Sequence, residues 1–465
     1  MEKKKKKFKL VDAILATVCI TLVAEATAPV AAIGNSQYFW WIFLIIAFCI
    51  PYGLITAELG STFPSEGGMY VWVKKAFGAR WASRLAWNYW INFPLWIAAL
   101  AVAVTDILAG IFGWEIPFIM LIVLQLGYTW LVTFLSGSRI SENKVLVNLG
   151  TYFKVAFMVG LGLLGIYAWI KTGQSANPIQ SAADLLPTTD LVTLSFLSVI
   201  IFNFLGLEVV ATFAEDMENP KKDIPKAVIF GALLVAVFYL LPATGMNIAL
   251  PVDQAAEIGG VTDAFSALLL QVGVSADITR GIVIGVGLMF IYTLVANIAS
   301  WSFGVHSVAK FSAEDGGLPA IFKKTNKAGV ATGSAMVCGA VATIIVIAGL
   351  IIGEVSDTGA NLFWTFFSLS LVTLLISYIL LFFAFIKLRK IDKSKRVYKV
   401  PGNKFAIALI VYVPLSLLIL SLVFTLFIDF TKESIIANLP LIIGTLVSLI
   451  IQECLVLRIK DEGKK

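Results

Sequence analysis

The chain has 465 residues, of which 59% are hydrophobic and 14% charged, and its mean hydropathy is +0.91. Soluble domains are about 45–50% apolar and about 25% charged. The composition therefore excludes an ordinary soluble protein and predicts a polytopic membrane protein. Because one span needs roughly 20 apolar residues, a single membrane domain covering 1–465 accounts for the length.

Metal, cofactor and enzyme chemistry find no support in the sequence. The four cysteines, at 19, 49, 338 and 454, lie in apolar stretches without a CxxC spacing, which predicts neither a disulfide framework nor a zinc site. Neither GxxxxGK[ST] nor HExxH occurs in the sequence. We therefore predict a protein that is not an enzyme, has no cofactor and contains no ATP-driven motor of the Walker type.

Twelve apolar runs of membrane length follow one another along the chain. They lie at about 11–33, 38–60, 82–112, 116–136, 144–171, 190–215, 225–249, 278–308, 330–353, 359–387, 403–426 and 436–456. The first run, with its basic MEKKKKKFK flank, also resembles a cleaved signal peptide. Twelve spans with both termini in the cytoplasm fit the distribution of basic residues better than a cleaved signal peptide does.

The basic residues predict the orientation, because cytoplasmic loops retain lysine and arginine. With the N-terminus inside, only Lys171, Arg280 and Lys432 of the 35 basic residues fall outside, and Lys154 falls within a span. We therefore predict a multi-pass protein of the cytoplasmic (plasma) membrane with both termini cytoplasmic. The basic run at 387–399 predicts a loop beside anionic lipid rather than a nucleic-acid site.

Two spans carry helix-breaking residues beside a carboxylate. The first contains Glu25 and Pro29, and the sixth contains Asn203, Gly206 and Glu208 at nearly the same depth. A charge at membrane depth costs about 2.5–3.5 kcal/mol on insertion scales and usually faces a cavity or a partner. Matched interruptions in two halves are typical of transporters that bind substrate at the midplane between half-helix ends.

The matched interruptions predict a 5+5 inverted repeat within an all-α integral membrane protein of twelve transmembrane helices. Repeat one would cover about 11–171, repeat two about 190–387, and two additional helices about 403–456. Because each repeat has an odd number of spans, the two repeats would be oppositely oriented.

Three segments resemble transporters of the amino acid–polyamine–organocation superfamily. They are IPYGLITAELGSTFPSEGGMYVWVKKAFG (51–78), FNFLGLEVVATFAEDMENPKKDIPKAV (202–228) and GVHSVAKFSAEDGGLP (304–319), although Ser307 stands where many members have arginine. The likeness covers the first ten spans. It implies the leucine-transporter fold and sodium-independent symport or exchange of amino acids or amines.

The resemblance also implies a coupling region. Several members have a lysine in the fifth span in place of a bound sodium ion, and Lys154 in NLGTYFKVAFMVG matches it. It lies about ten residues, or roughly 15 Å, into its span, which is deep for a lysine that snorkels to the interface. The predicted coupling and ion-replacing residues are Lys154, Glu25, Glu208, Asn297 and Ser300.

The first span departs from the pattern of amino-acid carriers. Many members have a glycine-rich GSG segment that receives a substrate carboxylate, whereas this chain has Glu25-Ala26-Thr27-Ala28-Pro29. With a carboxylate in this segment, the chain resembles the polyamine-transporting branch of the superfamily. In that branch an acidic residue here would meet the amine of the substrate. The predicted substrate-binding residues are Glu25, Ala26, Thr27, Ala28, Phe202, Asn203, Phe204 and Gly206.

The sequence thus predicts a sodium-independent secondary transporter, a proton symporter or exchanger, that moves an amino acid or a related amine or polyamine by alternating access. An exchanger of neutral or acidic amino acids, with Glu25 as proton-coupling group, stays open, and a channel or receptor is the remote alternative. The predicted partners are a small amine-bearing solute, protons and membrane lipid, without nucleic acid. The particular solute and the oligomeric state are left open.

Overall fold

The computed structural model describes residues 8–24, 27–139, 143–255, 260–355, 362–427, 431–432, 435 and 438–459. These residues form helices and connecting loops, with one isolated bridge between Phe8 and Met217. Eleven helical segments of the described chain are long and apolar enough to cross a membrane. The expectation of an all-α membrane protein is therefore confirmed.

The first five helices are α1 (Leu10–Thr21), α2 (Thr27–Ala31), α3 (Gln37–Leu44), α4 (Ile50–Thr62) and α5 (Gly68–Phe77). The next five are α6 (Ala79–Phe112), α7 (Phe118–Leu135), α8 (Lys144–Thr172), α9 (Leu191–Ser195) and α10 (Leu197–Phe202). They are followed by α11 (Pro220–Ala249), α12 (Val252–Ala255), α13 (Gly260–Gln271) and α14 (Ala276–Glu314). The last four are α15 (Thr332–Val355), α16 (Leu362–Ile391), α17 (Lys404–Leu426) and α18 (Leu439–Val456).

The first predicted span is interrupted, as its helix-breaking residues predict, but its first helix ends before Glu25 and Pro29. Instead of one run from 11 to 33, the structure has α1, which has 12 residues, and the separate α2. The helix ends early because the chain becomes extended at Leu22, where φ is −80° and ψ is 102°. The count of twelve spans and the 5+5 repeat stay predictions.

Burial divides the helices into a centre and a periphery. The sixth predicted span corresponds to a segment over Thr193–Phe213, here called the sixth segment. In it, 83% of the most apolar 18-residue stretch is buried, compared with 28% in α7 and 28% in α18. A helix at the centre contacts other helices all round, whereas a peripheral one presents much of its surface to lipid. The interrupted sixth segment therefore lies where a site shielded from lipid can form.

Glu58, a carboxylate within the second predicted span, is paired with cationic side chains. The carboxylate is 1% exposed and accepts hydrogen bonds from Arg389, from Arg396 at 2.7 Å and from the amide of Val400 at 2.7 Å. These donors belong to the end of α16 and the loop that follows it. A buried carboxylate needs such partners, because desolvation is costly for an isolated charge.

Candidate substrate site at two helix breaks

The break after α1 is supported by a tyrosine of α11. The hydroxyl of Tyr239 donates to the carbonyl of Thr21 at 3.0 Å and accepts from the amide of Val23 at 2.7 Å. Backbone groups freed by a helix break must find partners when water is absent. Tyr239 therefore stabilises the interruption. The predicted ligands Glu25 and Ala26, which follow directly, lie outside the described residues.

Two predicted coupling residues meet the carbonyl end of α1. The ammonium of Lys154 donates to the carbonyl of Cys19 at 3.0 Å, and the amide of Asn297 donates to the carbonyls of Cys19 and Ile20 at 3.1 Å each. Lys154 and Asn297 are both fully buried, so this lysine does not snorkel. The C-terminal end of a helix carries partial negative charge, which favours a cation there.

Ser300, the third coupling residue of this group, lies next to the same helix end. Its hydroxyl is 3.6 Å from the sulfur of Cys19 and also contacts carbonyls of its own helix, α14. The structure therefore brings Lys154, Asn297 and Ser300 to one place.

The second break requires glycine at position 206. Gly206 has a φ of +103°, between the end of α10 at Phe202 and a 3₁₀ turn over Leu207–Phe213. A Cβ atom at this position would lie 2.6 Å from Cγ2 of Ile20 in α1. Glycine is needed for the positive φ and for this close approach. The two interruptions therefore touch.

Glu208 lies just after this break within a ring of tyrosine hydroxyls. Tyr89 and Tyr378 donate to its Oε1 at 2.7 Å each, and Tyr52 donates to Oε2. The indole of Trp301 donates to the Tyr89 oxygen at 3.2 Å. Glu208 is 2% exposed and forms no ion pair with a lysine or arginine of the described residues. The site therefore holds a buried acid that lacks a cationic side-chain partner.

Aromatic rings pack around Phe202 and Phe204, two predicted substrate-binding residues at the second break. The Phe204 ring lies 5.7 Å from Trp41, measured between centroids, and the Phe202 ring lies 5.4 Å from Trp96 and 6.1 Å from Trp301. Aromatic faces attract ammonium groups by about 0.5–2 kcal/mol. This environment can accept the apolar chain and the charged ends of an amine.

Thr27 and Ala28, also predicted ligands, are buried at the start of α2. The hydroxyl of Thr27 has no hydrogen-bond partner in the part of the chain that the structure describes, and the same holds for the hydroxyl of Thr21. Asn203, the remaining predicted ligand, is fully buried at the end of α10. A hydroxyl oxygen offers two lone pairs, so both threonines can accept hydrogen bonds from an amine.

Sequence reasoning missed the tyrosines of this site. Tyr52, Tyr89 and Tyr378 come from α4, α6 and α16, and Tyr239 comes from α11. The available signal was a hydroxyl within an apolar span, and Tyr52 lies in the segment 51–78 that carried the family resemblance. Nothing in their spacing along the chain indicates that three of them converge on one carboxylate.

Two interrupted helices that meet around buried charges, within a bundle of membrane-length helices, define the architecture of a secondary transporter. Comparison with protein families supports this class, because the amino acid permease family matches residues 8–448. The chain belongs to this family of the amino acid–polyamine–organocation superfamily. The predictions of a transporter and of a protein that is not an enzyme are confirmed.

Similar proteins include carriers of amines and of amino acids. The probable agmatine/putrescine antiporter AguD of Lactococcus lactis is 42% identical over 462 residues, which cover 98% of this chain and 96% of that protein. A probable polyamine transporter of Arabidopsis thaliana is 26% identical, and the match covers 87% of this chain and 77% of that protein. The glutamate/gamma-aminobutyrate antiporter of Lactococcus lactis is 24% identical, and the match covers 84% of this chain and 76% of that protein.

Proposed function

We propose that this protein is a sodium-independent antiporter that exchanges small cationic amines of the agmatine and putrescine type across the plasma membrane. The observation that carries the proposal is Glu208, a buried acid at a helix break without a cationic partner among the described residues. A substrate ammonium or guanidinium would supply the missing positive charge. The 42% identity to an antiporter named for agmatine and putrescine favours the same substrates.

The two breaks would form one binding site. In this proposal Glu25, Ala26, Thr27 and Ala28 contribute from the first span, and Phe202, Asn203, Phe204 and Gly206 from the sixth. The contact of Ile20 with Gly206 supports a shared site, since it holds the two half-helix ends together. A diamine has two charged ends and an apolar middle, which suit carboxylates and aromatic rings respectively.

Lys154 supports the sodium independence. Its ammonium contacts the carbonyl of Cys19, at the helix end where partial negative charge accumulates. A sodium ion at this place would meet a fixed positive charge and be repelled. Lys154, Asn297 and Ser300 would therefore stabilise the carbonyl end of the broken first span.

Alternating access would follow from movement of the half-helices against the rest of the bundle. Glu208 contacts hydroxyls of α4, α6 and α16, so arrival of a cation beside it would change hydrogen bonds to three helices at once. Glu25 and Glu208 are the proposed coupling groups. The proposed transporter has the predicted twelve spans, the 5+5 inverted repeat and cytoplasmic termini.

Exchange in liposomes tests the proposal. Purified protein is reconstituted, the vesicles are loaded with unlabelled putrescine or left empty, and uptake of labelled agmatine is measured. We expect uptake only into loaded vesicles and equal rates in sodium and choline buffers. Loading with glutamate serves as the matched control and should give no uptake.

Three outcomes would contradict parts of the proposal. Equal uptake into empty vesicles would replace exchange by uniport or symport. A steep sodium dependence would remove the assigned role of Lys154. Exchange of labelled glutamate or neutral amino acids without exchange of amines would favour the alternative in which Glu25 couples protons.

A further inference from the structure

An apolar groove opens on the helix bundle, lined by residues other than those of the candidate site. Its volume is about 580 Å³, and it lies between α15 and α18 with α6 and α16 as its floor. Among the lining side chains are Trp90, Leu95, Phe322, Val341 and Ile451. Such a surface faces lipid in a membrane and would be filled by apolar chains.

The packing of α18 explains why the groove stays open. The indole of Trp87 in α6 donates to the carbonyl and the hydroxyl of Ser448 at 3.0 and 3.1 Å. One turn further, Arg84 forms two hydrogen bonds of 2.7 Å with the carboxylate of Glu453. These contacts hold α18 against α6, whereas α15 packs on α6, α7 and α14. No described segment of the chain therefore fills the space between α15 and α18.

The groove has the depth of one leaflet. Along α18 its lining runs from Gly444 to Leu455. Eleven residues of helix rise about 16 Å, which is half of a hydrocarbon core about 30 Å thick. The deep end lies at Gly444, where α18 packs so closely on α16 that a Cβ atom would lie 3.0 Å from Cδ2 of Leu369. A single acyl chain entering from one membrane surface matches this length.

Three basic residues closely follow lining residues of the shallow end in the sequence. Lys323 and Lys324 directly follow Phe322, and Arg458 lies three residues after Leu455. All three are exposed, and none forms an ion pair with a carboxylate of the described residues. In the predicted orientation this end faces the cytoplasm, where anionic head groups attract lysine and arginine.

We propose that the groove binds one anionic phospholipid of the cytoplasmic leaflet, with an acyl chain in the groove and its phosphate beside Lys323, Lys324 and Arg458. The lipid would contact Leu369 and Thr373 of α16. The same helix carries Phe367, which packs on Phe202, and Tyr378, which donates to Glu208. A bound lipid would therefore stabilise the helix that contacts both parts of the candidate site.

Native mass spectrometry tests the proposal directly. The full-length protein is incubated in mild detergent with equal amounts of phosphatidylglycerol and phosphatidylcholine, and the retained lipids are identified by mass. We expect one retained phosphatidylglycerol per chain. The double substitution Val341→Trp/Ile451→Trp fills the groove and should abolish this retention. Val123→Trp, at a lipid-facing position of α7 that is 59% exposed, is the matched control and should leave it unchanged.

A second variant distinguishes recognition of the lipid head group from binding of the acyl chain. Lys323→Gln/Lys324→Gln/Arg458→Gln should retain a lipid but lower the preference for phosphatidylglycerol by roughly tenfold. The control is Lys221→Gln/Lys222→Gln/Lys226→Gln, which removes as many charges from exposed positions at the start of α11. Equal lipid retention by the groove-filling variant and the wild type would overturn the proposal. A dimer that the groove-filling variant converts to a monomer would instead assign the groove to a second copy of the chain.

Discussion

Lys154 is the residue that we propose takes the place of a bound ion. Its ammonium is fully buried and donates to a backbone carbonyl rather than to a carboxylate among the described residues. The partial charge of a helix C-terminus is about half an elementary charge, so the carbonyl end of α1 compensates the lysine only in part. The amide of Asn297 completes the set of donors at the same carbonyls.

Removal of this ammonium should destabilise the protein. Lys154→Met keeps the length of the side chain but leaves the carbonyl of Cys19 with fewer donors. Because a hydrogen bond to a charged group contributes about 1.5–3 kcal/mol, we expect a lower melting temperature in detergent and loss of exchange. The matched control is Lys171→Met, since Lys171 also donates to a carbonyl, that of Val272, but is exposed. Equal effects of both substitutions would contradict the special role of Lys154.

Glu208 supports a second prediction at the residue scale. Glu208→Gln keeps the shape of the side chain and removes its charge. Hydrogen bonds to charged groups contribute about 1.5–3 kcal/mol, so the concentration of putrescine for half-maximal exchange should rise roughly tenfold to a hundredfold. Tyr378→Phe removes one neutral donor and should have a smaller effect, about twofold to tenfold.

The control for Glu208 is Glu453→Gln, which removes a carboxylate from the partly exposed pair with Arg84. Such pairs contribute about 0–1 kcal/mol, so exchange should change little. Unchanged exchange by Glu208→Gln, measured in the same vesicles, would show that this carboxylate does not act on the substrate.

At the scale of elements, loops on one side of the bundle are held together by Arg139. Its guanidinium lies 3.3 Å from Glu66 and 3.5 Å from Asp216, and its Nε donates to the carbonyl of Ala328 at 2.7 Å. These partners follow α4, the sixth segment and α14 in the chain. One side chain thus connects the ends of three helical segments, two of them from the half of the chain after residue 190.

Glu66 makes this connection sensitive to pH. Burial and the nearby carboxylate of Glu215 raise the pKa of Glu66 from 4.5 to about 7, against the opposing effect of Arg139. Between these two values the folded protein binds more protons at Glu66 than the unfolded chain does. The contribution of Glu66 to stability therefore decreases as the pH rises from about 4.5 to about 7.

Glu66→Gln should remove this part of the pH dependence. We expect the melting temperature of the variant to fall less than that of the wild type between pH 4.5 and pH 7. Thermal unfolding in detergent across this range measures the difference. Glu115→Gln, in the exposed loop between α6 and α7, is the control. A wild type and a Glu66→Gln variant with parallel pH profiles would exclude the assigned titration.

At the scale of the whole molecule, the two helix breaks form one site only if the two halves of the chain pack together. Ile20 of α1 contacts Gly206, and Tyr239 of α11 supports the break after Thr21. Gly206 itself cannot be used as a reporter, because a side chain there would require both strain and displacement of Ile20. Thr27 and Asn203 are better reporters, since each is buried beside its own break.

Putrescine should shield both positions from a thiol reagent. Thr27→Cys and Asn203→Cys are made singly in a background with alanine at the four native cysteines. We expect modification of each to slow at least several-fold when putrescine is added, because one bound solute would cover both breaks. Putrescine protection of one cysteine without the other would contradict a shared site, and sodium chloride of equal ionic strength is the control for salt effects.

The sequence by itself determined the class of protein. Apolar runs of membrane length and low charge require lipid-facing helices, since the backbone must satisfy its own hydrogen bonds in lipid. Local chemistry also indicated both interruptions, because Pro29 lacks an amide donor and Gly206 permits a positive φ. The depth of Lys154 along its span likewise predicted a buried ammonium, and the motif around Glu208 predicted the family.

Only the tertiary structure decided which groups meet. Tyr52, Tyr89 and Tyr378 are separated by 37 residues or more along the chain, yet they donate to one carboxylate. Helical periodicity places a side chain on a face of its own helix but carries no information about the partner helix. The same limit applies to Glu58, a carboxylate within the second predicted span, whose partners come from a distant loop. Hydrogen bonds between distant segments depend on how whole helices pack, and this packing is what the folded bundle adds to the sequence.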